Sequence, residues 1–124
     1  MVHDHIPLLA RHLDRIAVPE VRLAYLYLTH QAAALSQYQC RPGEHGDVDD
    51  FRYYQGPEWP FAFIVNQRSL LWFFRKAGLR HPEADVARLS TRFAEVRENS
   101  AGEITLRISS LEEAKRIAEL VFGK

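Results

Sequence analysis

Two runs of apolar residues, 61–65 and 70–74, constrain the fold of this chain more than any other feature. The runs are rich in aromatic and branched residues, and the four residues between them suit a hairpin connection, so they predict two paired strands. Because side chains alternate between the faces of a strand, both faces of this hairpin would be apolar. Such a hairpin needs cover on both sides, from helices or from a second copy of the chain. The residues predicted to form that interface are Phe61, Phe63, Trp72 and Phe74.

A second hairpin and two helices are predicted in the rest of the C-terminal half. Residues 95–98 and 103–108 have the pattern of strands around a turn. Residues 82–93 have apolar positions at helical spacing. Ser109 and Ser110 each stand three residues before a glutamate, which gives two overlapping capping boxes for a closing helix. The order strand, strand, helix thus occurs twice and predicts a four-stranded, mainly antiparallel sheet built from tandem ββα units.

The N-terminal third predicts a pair of helices. Residues 7–16 place apolar side chains on one face, and the helix should end before Pro19, because the residue before a proline is pushed out of the helical region. A second helix is predicted over residues 19–39, with apolar residues around most of its circumference, which is typical of a buried helix. His30, in its middle, is therefore interpreted as a neutral core histidine.

Between these halves, residues 40–60 interrupt the periodicity with glycines, prolines and acidic residues. We expect a long polar and aromatic loop there, with a short helix capped by Asp47. Long ordered loops often bind ligands. A pocket for a small molecule or an anion is predicted where this loop folds over the sheet, lined by Tyr53, Tyr54, Trp59, Arg75, Arg80 and His81.

These predictions combine into one α+β domain over residues 1–124. It would consist of a helical pair at 1–39, the loop at 40–60, and the tandem ββα units at 61–124. No motif in the chain is specific to one protein family.

The sequence contains no catalytic constellation and predicts no cofactor. Cys40, the single cysteine, would follow the C-terminal end of a helix, where the helix dipole disfavours a thiolate. The serine elbow of hydrolases and the dinucleotide fingerprint are both missing from the sequence. His3, His5 and His12 lack a preorganised metal geometry, and His45 among acidic residues matches no metal-loop spacing, so no metal site is predicted.

Composition narrows the class of protein further. The 124 residues are 47% hydrophobic and 26% charged, as in ordinary globular domains. The apolar runs are too short for a membrane span or a signal peptide, so no membrane association is predicted. A single cysteine suits a reducing compartment, so we expect a cytoplasmic location.

Three functional hypotheses follow. The first is a non-catalytic interaction domain that forms a homodimer or binds a protein partner through an apolar sheet or helix face. The alternative is the ligand pocket beneath residues 40–60, with or without enzymatic activity. Nucleic-acid binding has less support, because the formal net charge is zero. It would use Arg68, Arg75, Lys76, Arg88 and Arg92.

Overall fold

The computed structural model describes residues 5–123, which contain four α-helices and six strands. The helices are α1 (Ile6–Arg15), α2 (Pro19–Ala32), α3 (Val86–Leu89) and α4 (Leu111–Phe122). The strands are β1 (Gln39–His45), β2 (Val48–Gln55), β3 (Glu58–Val65), β4 (Leu70–Phe74), β5 (Ala94–Glu98) and β6 (Ile104–Ile108). A 3-10 turn, Lys76–Arg80, follows β4.

All six strands form one antiparallel sheet in the order β1-β2-β3-β4-β6-β5. The first four strands are consecutive hairpins, and two of the connections are two-residue turns that begin with Gly46 and Gly56. Both glycines have a positive φ, which this kind of turn requires and which other residues adopt at a cost. The central pairs place Trp72 beside Phe63 of β3 and Leu106 of β6.

The helices pack on one face of the sheet, which we call the helix face. Tyr25 of α2 meets Phe63 edge to face, and Phe122 of α4 lies 6.4 Å from Trp72 between ring centroids. Trp72 itself is fully buried. The apolar side chains of α2, α4 and the helix face form a single core cluster, to which α3 contributes Leu89.

The 3-10 turn packs over the start of β3 on the same face. An added Cβ at Gly78 would lie 2.3 Å from the backbone oxygen of Pro60, so only glycine fits this contact. His81 follows the turn, and its Nε2 hydrogen-bonds the backbone oxygen of Val121 at 3.1 Å, near the end of α4. The turn thereby links β3 to α4.

The α+β class and the N-terminal helical pair are confirmed, and the sheet has six strands where the sequence predicted four. The two extra strands arise in residues 40–60, which are β1, β2 and the start of β3 and not a loop. Asp47 lies in the turn between β1 and β2 and caps no helix. Most of the glycines and prolines taken as signs of a loop instead lie in tight turns or in the edge strand β1, and Pro60 lies in β3.

Two predicted helices are shorter than the periodicity indicated. The second helix ends at Ala32, and the chain turns there to reach β1. In residues 82–93 only Val86–Leu89 is helical. Ser90 and Thr91 hydrogen-bond backbone oxygens of that same helix through their hydroxyls, which favours a break, and the chain then enters β5.

Candidate functional site

The face of the sheet opposite the helix face is the most distinctive surface of the described chain. We call it the open face, because no helix within residues 5–123 packs on it. At its centre Ile64, Leu71 and Phe73 are only partly buried. Arg52, Trp59 and Arg75 lie around this apolar centre on β2, on β3 and just after β4.

Trp59 holds two arginines against its ring. The guanidinium carbon of Arg52 and that of Arg75 each lie 4.4 Å from the Trp59 ring centroid. Stacking of this kind is favourable because the ring face is electron-rich and the guanidinium is planar and weakly hydrated. We call these three side chains the Arg-Trp-Arg cluster. The cluster covers part of the open face, on which no helix of the described residues packs.

Two acidic side chains fix the orientation of these arginines. Asp50 accepts a hydrogen bond from Nε of Arg52 at 3.0 Å, and Glu103 accepts one from Nε of Arg75 at 3.0 Å. The Asp50 side chain is 10% exposed and that of Glu103 is 12% exposed, so both carboxylates are largely shielded from water. Such charge-assisted bonds are stronger than those between neutral groups. Each guanidinium is therefore held at its planar face by the Trp59 ring and at one edge by a carboxylate.

A cavity of about 250 Å³ lies within this arrangement. Its apolar surface comes from Ala62, Ile64 and Phe73, and its rim from the Arg-Trp-Arg cluster with Asp50 and Glu103. The volume is slightly below the usual range for small-molecule pockets, so it suits a small molecule or one side chain.

The predicted pocket residues are divided between the two faces of the sheet. Tyr54, Trp59 and Arg75 share the open face, where the Tyr54 and Trp59 rings are 5.5 Å apart. Tyr53 is fully buried on the helix face, and burial raises the pKa of its hydroxyl well above the usual value. His81 packs against Phe61 and Phe74 on the helix face.

Arg80, the last of the predicted pocket residues, is exposed and donates a hydrogen bond to Glu58 at 3.2 Å. The structure thus assembles half of the predicted set, and the sequence missed Arg52, Asp50 and Glu103. Their contribution depends on strand pairing, because Asp50 pairs with Ile64 and Arg52 with Ala62 across β2 and β3.

The residues predicted to form an interface belong to the core of this chain. Phe61, Phe63, Trp72 and Phe74 are all at most 3% exposed. All four side chains point to the helix face, where α2 and α4 cover them. The other side of the same hairpin is the partly exposed one.

A second candidate surface runs along α2. Leu23 and Leu26 are each 48% exposed, although they are large and apolar. The turns that follow continue the exposed face with His30 and Ala33, and Tyr27 borders it. We call these five residues the outer stripe of α2. His30 is therefore a surface residue and not the core histidine that the sequence predicted. The buried side of α2 is formed by other residues, among them Val21, Tyr25 and Leu28.

A buried polar cluster joins α1 to β1 and β2. His12 is fully buried, with Nδ1 2.8 Å from the Tyr25 hydroxyl and Nε2 3.2 Å from the Gly43 backbone oxygen. Asp49 is also fully buried, and Nε of Arg15 donates to it at 3.0 Å. Each of these groups is used within the fold, so the cluster explains how α1 is attached.

Cys40 lies on β1 and not after a helix. Burial raises the pKa of its thiol to about 12, so the thiol stays protonated near neutral pH. His45 lies 3.3 Å from Asp50, and His3 is outside the described residues. Within residues 5–123, no three His, Cys, Asp or Glu side chains cluster in a way that could hold a metal ion.

Of the residues proposed for nucleic-acid binding, Arg75 lies on a different surface from Arg88 and Arg92. Arg75 stacks on Trp59 at the open face, whereas Arg88 lies 3.7 Å from Glu83 and the backbone of Arg92 accepts a hydrogen bond from Arg116 of α4. Arg88 and Arg92 therefore lie beside the helices, away from Arg75.

No family model, curated protein or solved structure matches this chain. In the part of the chain that the structure describes, no helix combines the length and the apolar character needed to cross a bilayer.

Proposed function

We propose that this protein is a non-catalytic interaction domain that self-associates through the outer stripe of α2. The single observation that carries the proposal is the exposure of Leu23 and Leu26 on a helix face that points away from the core. Large apolar side chains on consecutive turns of a solvent-facing helix are typical of a contact surface.

The charge pattern supports the same conclusion. Residues 23–40 contain no Asp, Glu, Lys or Arg, although 26% of the chain is charged. A helix that faces water in a monomer normally carries charges on that side. The outer stripe therefore resembles a surface that is covered when the protein is assembled.

A second copy of the chain is the occupant that fits this stripe. The stripe has no charge excess that would select a strongly acidic or basic partner, and self-complementary two-fold contacts are the commonest in soluble oligomers. Two α2 helices that cross antiparallel around a point between Leu26 and Tyr27 would place Leu23 of each chain near His30 of the other. The dipoles of the two antiparallel helices would then oppose each other, which is their favourable arrangement.

The stripe is short, so the expected dimer is weak. Specific interfaces usually bury at least about 1,000 Å², and two strips of five residues provide less than that. We therefore expect an equilibrium between monomer and dimer at accessible concentrations.

Sedimentation velocity between about 10 μM and about 1 mM tests the proposal, because this range covers weak association. The wild type should approach twice the 14.4 kDa mass of one chain as the concentration rises. The double variant Leu23→Glu with Leu26→Glu should remain monomeric, because dimerisation would bury four unpaired carboxylates.

Val48→Glu is the matched control, because Val48 is a 40% exposed apolar residue on the β1–β2 hairpin and outside α2. This variant should associate like the wild type. A wild type that stays monomeric over the whole range, or an Leu23→Glu, Leu26→Glu protein that still dimerises, contradicts the proposal.

A further inference from the structure

We infer that the cavity on the open face is a binding site for a carboxylate attached to a small apolar group. The inference goes beyond self-association and concerns a different surface, because the cavity lies on the side of the sheet opposite α2.

Unused hydrogen-bond donors are the first support. A guanidinium has five N–H donors. Within residues 5–123, Arg75 uses only Nε, and Arg52 uses Nε together with a bond from Nη1 to the Tyr54 hydroxyl. Both Nη atoms of Arg75 are therefore available. The outer edge of a guanidinium binds a carboxylate with two parallel hydrogen bonds.

Preorganisation is the second support. A free arginine side chain loses rotamer freedom when it binds an anion. Arg75 is already held by the Trp59 ring and by Glu103, and Arg52 is held by Trp59 and Asp50. Much of that ordering is therefore complete before a ligand arrives.

The charge balance selects the class of anion. Two arginines and two carboxylates line the cavity, so the site is close to neutral before binding. One negative charge could be accommodated by the free guanidinium edges. A dianion such as a phosphate monoester would be repelled by Asp50 and Glu103, which cannot move away because their oxygens hold the arginines.

The cavity surface selects what is attached to the carboxylate. Ala62, Ile64 and Phe73 form an apolar floor beside the indole of Trp59. An aromatic ring or a branched aliphatic group would bury its surface there and leave its carboxylate at the arginine rim. Two sources have this chemistry, a free small acid and the C-terminal carboxylate of a peptide that ends in an apolar residue.

Benzoate is the probe for the first test, and the indole N–H signal of Trp59 in a proton–nitrogen NMR spectrum is the readout. Trp59→Phe assigns that signal, because Trp59 and Trp72 are the two tryptophans. Benzoate should shift this signal, and the shift should saturate at millimolar benzoate, as expected for so small a ligand. Benzamide, which has the same shape without the charge, and phenyl phosphate should both bind about tenfold more weakly or worse.

Arg75→Gln and Arg52→Gln test the rim, after circular dichroism has shown that each variant is folded. Each should weaken benzoate binding about tenfold, because each removes charged donors. Arg80→Gln is the matched control, because Arg80 pairs with Glu58 outside the cavity, and it should bind like the wild type.

A peptide probe compared with benzoate distinguishes the sources. If Gly-Gly-Phe with a free carboxylate binds more tightly than benzoate, the ligand is a peptide C-terminus. If benzoate binds more tightly, the ligand is a free acid. The inference is overturned if benzoate leaves the Trp59 signal unchanged up to about 50 mM. It is also overturned if benzamide binds as well as benzoate, or if both arginine variants bind like the wild type.

Discussion

At the scale of single residues, the attachment of α1 depends on one buried imidazole. His12 is the only residue of α1 whose side chain is buried. The Gly43 backbone oxygen can only accept, so Nε2 of His12 donates to it, and Nδ1 accepts from the Tyr25 hydroxyl. This assignment requires the neutral ring.

The titration of His12 should appear in the stability of the protein. Burial lowers its pKa below the usual 6.5, against smaller opposing effects of the Gly43 hydrogen bond and of the nearby Asp49 and Asp50. The unfolded chain then binds more protons than the folded chain, so the stabilisation is complete above pH 6.5 and is lost as the pH falls below it.

Urea unfolding of the wild type and of His12→Gln between pH 7.5 and pH 5 measures this effect. Glutamine has a donor and an acceptor but does not titrate, so His12→Gln should reduce the loss of unfolding free energy at low pH. His30→Gln is the control variant, because it changes a histidine that is exposed in the monomer, and all three proteins are compared at a concentration at which they are monomeric. Equal pH dependence in His12→Gln and the wild type would show that other groups cause the loss.

At the scale of elements, the start of α4 shows how structure selects between two sequence registers. Ser109 and Ser110 both fit a capping box. In the structure Ser110 is the N-cap, and its hydroxyl accepts a hydrogen bond from the Glu113 backbone at 3.2 Å. Glu113 in turn accepts from the Ser109 backbone N–H at 2.7 Å, so the hydroxyl of Ser109 has no part in the cap.

Ser110→Ala should therefore destabilise the protein by about 1 kcal/mol, which is the usual cost of losing an N-cap side chain. Ser109→Ala is the matched control and should change the free energy of unfolding by less than about 0.5 kcal/mol, as expected of an exposed site. Chemical denaturation of the two variants measures the difference, and a larger loss in Ser109→Ala would mean that the other register forms.

A continuous apolar run made the central hairpin predictable, whereas buried acidic residues concealed β2. The hairpin of β3 and β4 was identified because every position in residues 61–65 and 70–74 is apolar. In β2 the buried positions include Asp49 and Asp50. Their burial is compensated by arginines from α1 and from β2 itself, and a pattern of hydrophobicity does not contain that information.

At the scale of the whole molecule, self-association should couple to folding. A dimer that forms only from folded chains stabilises them by mass action, so the midpoint of thermal unfolding should rise with protein concentration. The size of this rise depends on the dissociation constant of the dimer. It should be a few degrees over a hundredfold range of protein concentration.

Differential scanning calorimetry of the wild type and of the Leu23→Glu, Leu26→Glu variant would measure this coupling. The midpoint of the double variant should not depend on concentration. If the midpoint of the wild type is also independent of concentration, the outer stripe forms no contact that stabilises the folded chain.

The sequence by itself determined the α+β class, the helical pair, the central hairpin and the closing helix, because each is encoded by a local run or period of apolar residues. Only the tertiary structure decided which face of the hairpin the helices cover, and therefore that the Phe61 side is core and the Phe73 side is open. It alone brought Arg52 and Arg75 to Trp59 from neighbouring strands. The reason is physical, since contacts between distant segments depend on strand order and register, and no local period encodes either.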